Sequence, residues 1–257
     1  MIEIEQGIDR AARLESIAAE VRVCTNCRLH ETRTLAVPGE GSPETEVVFV
    51  GEGPGYNEDR QGRPFVGRAG ALLGKFLGSL GWRREDVFIT NIVKCRPPEN
   101  RDPEPDEIAA CAPYLRRQLE VLDPALVVTL GRHSLGRFMP GARISQAHGT
   151  IGPVDPATGA ANALAFALYH PAAALRTPDI ERTSYEDVAR IPAALLEARS
   201  RREVTNELAP TPVREPNIQS SVPTEPESPA TTPEPLPDPS LLAAADPAAP
   251  DDQLTLF

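Results

Sequence analysis

Residues 46–55, EVVFVGEGPG, join an unbroken β-branched and aromatic run to a glycine-rich turn. An apolar run of that length, with no polar alternation, is the pattern of a strand covered on both faces. Behind the turn, residues 66–82 (VGRAGALLGKFLGSLGW) place Leu72, Leu73, Phe76, Leu77 and Leu80 at helical spacing. The same order of strand, turn and helix is found further along. DVFITNIVKC (86–95) is the next strand candidate, and DPEPDEIAACAPYLRRQLEVL (102–122) is a helix that opens on proline and acidic residues, as its dipole favours. ALVVTLGRHSLGRFM (125–139) gives strand, turn and helix again. ALAFALYHPAAAL (163–175) gives a last strand and residues 185–202 a last helix, while residues 9–23 form an amphipathic helix in front. Strands alternating with helices predict an α/β fold: a single three-layer α/β/α domain with a mostly parallel central sheet.

Polar and glycine-bearing residues gather where the strands end, at GEGPG, TN, GRH and YHP. Ligands of open α/β sheets bind beyond the carboxyl ends of the strands, so four separate segments are expected to converge on one site. GEGPG lacks the lysine of a P-loop and the spacing of a dinucleotide fingerprint, so nucleotide hydrolysis has no support. Glu52, Glu58 and Asp59 follow within eight residues, and Phe65 stands in a glycine-flanked loop where an aromatic face can stack on a flat ligand. Asn91 ends an apolar strand, and its amide offers one acceptor and two donors to a cyclic imide edge. Of the four histidines, only His170 is drawn into this set; His30, His133 and His148 are assigned no chemistry.

Four cysteines, Cys24, Cys27, Cys95 and Cys111, are spaced as a CxxC pair and two distant singles. CTNC does not stand between a strand and a helix of a βαβ unit, which argues against a thioredoxin-like pair. Zinc accepts four thiolates but favours closely spaced pairs, and an iron–sulfur cluster tolerates irregular spacing. Spacing alone leaves the two open, and Cys111 also fits a plain core position.

Composition changes near residue 203. Residues 204–257 hold 12 of the 28 prolines, nine acidic residues, one basic residue and one aromatic, Phe257. Such a segment cannot bury enough apolar surface to offset the entropy of ordering. It carries −8 of the −11 net charge, which leaves −3 on residues 1–203. The folded part is therefore neither strongly acidic nor strongly basic, and charge alone neither excludes nor advertises a nucleic-acid partner. The first twenty residues lack the regions of a signal peptide, and no apolar run nears the ~20 residues of a membrane span. A cytoplasmic chain with no membrane partner is expected, in a compartment where cysteines serve as metal or redox ligands rather than disulfides.

Together, CTNCRLHETR, VVFVGEGPGYNEDRQGRPFVGRAG, TNIVKCRPPENRDPEPDEIAAC and YHPAAAL resemble the family 4 uracil-DNA glycosylases, the iron–sulfur type. The likeness runs from about residue 20 to residue 195. It implies a DNA-repair hydrolase that flips uracil out of DNA and cleaves its N-glycosidic bond. The other reading is a non-catalytic DNA-binding adaptor, which need not keep Glu52, Phe65, Asn91 and His170 together. The resemblance makes Cys24, Cys27, Cys95 and Cys111 ligands of a structural 4Fe–4S cluster. It makes Phe65 the stacking face, Asn91 the reader of the uracil edge, and Gly53 a backbone contact to the base. Glu58 matches the residue that crowds the thymine methyl, His170 the catalytic histidine, and Glu52 a group that orients water or stabilises the sugar cation. Leu175 matches a wedge into DNA, with Arg176 on a phosphate. A related covalent variant carries a histidine in the loop after the asparagine segment; residues 96–110 contain none, so turnover is expected.

The chain therefore divides into a glycosylase domain (1–203), a Pro-rich acidic tail (204–252) and a terminal peptide (253–257). That peptide, QLTLF, resembles those that bind the bacterial sliding clamp, with Gln253 in a polar subsite and Leu254, Leu256 and Phe257 in an apolar groove. A monomer acting on single- or double-stranded uracil-DNA is the expected form.

Overall fold

A computed structural model describes the backbone of residues 2–208 and the side chains of residues 9–205. The tail beyond residue 208 and the QLTLF peptide lie outside the described residues. The strands are β1 (Glu40–Gly41), β2 (Val47–Gly51), β3 (Phe88–Asn91), β4 (Leu126–Leu130), β5 (Ile151–Pro153) and β6 (Leu164–Leu168). The helices are α1 (Ile2–Val23), α2 (Tyr56–Gln61), α3 (Arg68–Ser79), α4 (Pro105–Leu122), α5 (Arg132–Phe138) and α6 (Ile144–Ala147), followed by α7 (Pro171–Ala174), α8 (Pro178–Val188) and α9 (Ile191–Leu208). The boundary that composition places at residue 203 falls inside α9.

One six-stranded sheet runs in the order β1-β3-β2-β4-β6-β5. The four central strands are parallel, and β1 and β5 close the edges antiparallel. Both edges were invisible in the sequence because two- and three-residue strands leave no periodic signal. Within β2, Val48 and Val50 join the core beneath α1 and α4, while Val47 and Phe49 join the opposite core with Leu73, Phe76 and Leu77 of α3 and Ile191 of α9. The fold is thus a three-layer α/β/α sandwich, and the unbroken apolar run of β2 exists because both its faces are covered.

The chain leaves β2 for β3 on one side and returns past β2 to β4 on the other. A crevice therefore opens at the carboxyl ends of β2 and β4. Register aligns those ends: Gly51 pairs with Asn91 and Leu130 with Leu168. The strand candidate 86–95 is shorter than expected, since residues 92–95 leave β3. Their course is held by Lys94, whose buried ammonium donates to Thr90 Oγ1 (2.5 Å), the Asn91 carbonyl (2.9 Å) and Gln118 Oε1 (2.7 Å). The following PPENRDPEP segment contains a short 3-10 turn at Pro98–Asn100. Glu107, fully buried on α4, accepts from both guanidinium nitrogens of Arg101 (2.8 and 2.6 Å) and from the Glu104 amide, and so ties this loop over the crevice.

Candidate active site

The crevice is a cavity of about 620 Å³ lined by Glu52, Gly53, Glu58, Phe65, Asn91, His170 and Arg176. Seven of the residues singled out in the sequence thus share one site. Leu175 does not line it; at 37% exposure it stands beside Arg176 at the end of α7, an exposed apolar side chain rather than a residue packed beneath the last helix.

Asn91 is the most telling group. It is 1% exposed, and its Oδ1 has no hydrogen-bond partner. A buried acceptor left unpaired costs about 1–3 kcal/mol, so the site bears a standing penalty that a ligand with a matching donor relieves. Gly51, opposite Asn91, has no side chain to intrude: a Cβ there would collide with Asn91 Oδ1 and with the Phe65 ring. Phe65 is held at φ +51°, in the left-handed region that a bulky residue rarely adopts. Two contacts hold it there. The Glu58 carboxylate accepts from the amides of Val66 (2.9 Å) and Gly67 (2.8 Å), and Gly70 lets α3 approach so closely that a Cβ would strike the Phe65 carbonyl. Glu58 therefore fixes the aromatic loop, a task the sequence did not reveal.

His170 caps the start of α7, and its Nδ1 accepts the Ala172 amide at 3.1 Å. That bond leaves the ring proton of the neutral imidazole on Nε2. Burial, seconded by the charge of Arg176 and opposed by Glu58, pulls its pKa down to about 4. The ring is thus a neutral Nε2–H donor at ordinary pH. It lies 5.8 Å, centroid to centroid, from Phe65. Gly131, at φ +89°, makes room for it, because a Cβ there would stand 2.9 Å from His170 Cβ.

On the opposite wall, Glu52 is half-buried, and burial raises its pKa; Asp102 adds to the rise, while His133 and Arg132 oppose it. His133 Nε2 lies 3.8 Å from Glu52 Oε2 and 3.3 Å from Asp102 Oδ2. Asp102, Arg101, Arg132 and Tyr169 complete the rim and floor. None was singled out beforehand: Asp102 was read as the start of the helix candidate 102–122, whereas α4 begins at Pro105, and His133 was set aside.

A profile of the uracil DNA glycosylase superfamily matches residues 38–191. Over 188 residues the chain is 49% identical to the type-4 uracil-DNA glycosylase of Saccharolobus solfataricus, spanning 71% of this chain and 86% of that protein. It is 48% identical over 184 residues to the type-4 enzyme of Sulfurisphaera tokodaii, at 69% and 83% coverage. It is 46% identical over 178 residues to that of Archaeoglobus fulgidus, at 67% and 88%. The chain belongs to the uracil DNA glycosylase superfamily, on its type-4 branch.

In this glycosylase-family chain the four cysteines form no disulfide and line a second, small pocket between α1, α4 and the segment after β3. Burial pushes the thiols of Cys27 and Cys95 up and that of Cys111 to about 12. Even so, three of the four sulfurs receive N–H donors. Arg33 Nη1 approaches Cys95 Sγ at 3.0 Å, the Lys94 amide Cys111 Sγ at 3.2 Å, and the Asn26 amide Cys24 Sγ at 3.5 Å. Only three residues separate Asn91 from Cys95, so the two cavities share a wall.

Proposed function

We propose that this chain hydrolyses the N-glycosidic bond of uracil in DNA and leaves an abasic site. The observation that carries the reading is the buried Asn91, its Oδ1 unpaired, beside Phe65 and a neutral His170 in one cavity. Extruding a base costs a few kcal/mol, which the pocket must offset. Uracil stacks on Phe65; Asn91 accepts from N3–H and donates to O4. Cytosine reverses that order and would leave both groups mispaired, at about 1–3 kcal/mol each. Thymine is excluded on the C5 side, where Gly53 and Glu58 stand, and Glu58 acts there by holding the Phe65 loop as well as by its own bulk. As the bond breaks, negative charge grows on the uracil ring, and His170 Nε2–H donates to O2. Glu52 orients the attacking water. Leu175 and Arg176 fill the gap in the stack and contact a phosphate.

Matched single- and double-stranded oligonucleotides with one uracil or one thymine test this. Uracil release from both strands forms with no thymine release is the expected result. Protein that binds uracil-DNA but releases no base would establish the adaptor reading instead.

The cysteine cavity supports a 4Fe–4S cluster held by Cys24, Cys27, Cys95 and Cys111. The likeness to type-4 enzymes favours a cluster over a mononuclear zinc, which four thiolates also suit. The N–H donors on sulfur suit electron-rich cluster thiolates. When bound, the cluster supplies structure: it ties α1 to α4 and to the segment that carries Asn91. Four iron and four sulfide per chain are expected on analysis, and Cys111→Ser is expected to lose both, together with about 3 kcal/mol or more of stability. Zinc in their place would overturn the assignment. The sliding-clamp reading of QLTLF rests on sequence alone, and loss of clamp affinity on deleting residues 253–257 is its test.

A further inference from the structure

Asp102 reaches the cavity from the loop ahead of α4, where several pairings hold it. Its carboxylate pairs with Arg132 and lies 3.3 Å from His133 Nε2, both at the start of α5. Its carbonyl accepts from Arg101 Nη1 (2.9 Å), and Arg101 in turn is fixed on buried Glu107. His133 Nε2 accepts from Arg132 Nε at 2.9 Å, so its position is set as well. The result is a frame of two carboxylates, one guanidinium and one imidazole on the wall facing His170. The unpaired Oδ1 of Asn91 opens into the same cavity and marks where the ligand lies.

We infer that Asp102 is a positioning residue for Glu52: it holds the Glu52 carboxylate as the group that receives the proton of the attacking water. This rests on the proposed reading of Glu52. In the step, water oxygen bonds to C1′ while the C1′–N1 bond breaks, and that electron pair leaves on uracil N1. The water proton passes to Glu52, and the uracil anion keeps its hydrogen bond from His170. No oxidant or co-reactant is needed. Asp102 contributes in two ways. Its carboxylate, like the His133 ring, lies within 4.8 Å of that of Glu52 and so bounds the space it occupies, and its negative charge makes the Glu52 carboxylate a stronger base. The charged or titratable groups that face Glu52 are Asp102, His133 and Arg132, and each enters the balance: burial and Asp102 raise its pKa, whereas His133 and Arg132 lower it. Glu58, Tyr169, His170, Arg101 and Arg176 are the other charged or titratable groups on the cavity wall.

The test is single-turnover uracil release as a function of pH, with full-length wild type and three variants, each checked for cluster content and uracil-DNA affinity. Asp102→Asn is expected to move the acid limb to lower pH and to slow release about tenfold at neutral pH, with affinity unchanged. Arg132→Leu is expected to move the limb the opposite way. Glu52→Gln is expected to lose the limb altogether, and adding Asp102→Asn to it costs nothing further. If Glu52→Gln is impaired but neither Asp102→Asn nor Arg132→Leu displaces the limb, Asp102 is merely structural and the inference falls. If Glu52→Gln keeps the wild-type rate and profile, the reading of Glu52 is wrong, and the two failures are told apart. Should Asp102→Asn fail to fold, the displacement in Arg132→Leu decides alone.

Discussion

His170→Ala is expected to slow uracil release by roughly 10²–10³-fold, the loss that follows removal of one preorganised donor to a developing oxyanion. Binding of uracil-DNA is expected to change far less, because the Nε2–H bond to O2 strengthens only as charge leaves the sugar. The size of the effect comes from the neutrality of the ring. An imidazolium would bind water and backbone anions in the resting site, whereas a neutral ring held by the Ala172 amide has its single proton already aimed from Nε2. Its pH dependence separates this role from general acid catalysis. With Glu52→Gln removing the carboxylate's own titration, the rate is expected to stay level as pH falls through 6.5 and to change only near pH 4, where the ring protonates. A histidine that had to donate a full proton would instead lose rate above its pKa, and level behaviour would not be seen.

The same depressed pKa makes His170 a stability element with a definite sign. The unfolded chain takes up the ring proton near pH 6.5, while the folded chain resists it until about pH 4. Its contribution is therefore complete above about pH 6.5 and is lost as pH falls from there to about 4. Urea titrations of wild type and His170→Ala across that window should differ in slope on the acid side and run parallel above it.

How far this site could be read from the sequence depended on what held each residue. Glu52, Asn91 and His170 sit at the ends of apolar strands, and the ends are legible because burial on both faces writes unbroken runs such as VVFV and LAFAL. Phe65 was legible through its glycine neighbours, and the structure gives their reason: Gly70 admits the loop, and Gly51 leaves space for its ring. Asp102 and His133 were not legible. Asp102 is placed by a chain of pairings through Arg101 and Arg132 to residues on two other helices, and no local spacing encodes that. The role of Glu58 was hidden for a related reason, since its carboxylate serves backbone amides eight and nine residues ahead. Residues 92–95 read as strand because they are apolar, yet Lys94 folds back on β3 and turns the chain toward the cysteines.

Asn91→Leu should separate function from stability more sharply than any other substitution. The two side chains share a γ-branched outline, but leucine brings neither acceptor nor donor. Uracil release is expected to fall at least about a hundredfold, since N3–H and O4 would both be buried unpaired at about 1–3 kcal/mol each. Stability is expected to rise by about 1 kcal/mol, because the free protein no longer buries the orphaned Oδ1. Asn91→Asp is the informative contrast. It keeps an acceptor for N3–H but loses the donor to O4, and it sets a fourth carboxylate in a cavity that already holds Glu52, Glu58 and Asp102. It should lose activity and stability together. Thermal melts alongside single-turnover assays decide the matter. If Asn91→Leu melted earlier than wild type, the unpaired oxygen would not be a stored cost of recognition, and the pocket's preference for an imide edge would have to come from groups other than Asn91.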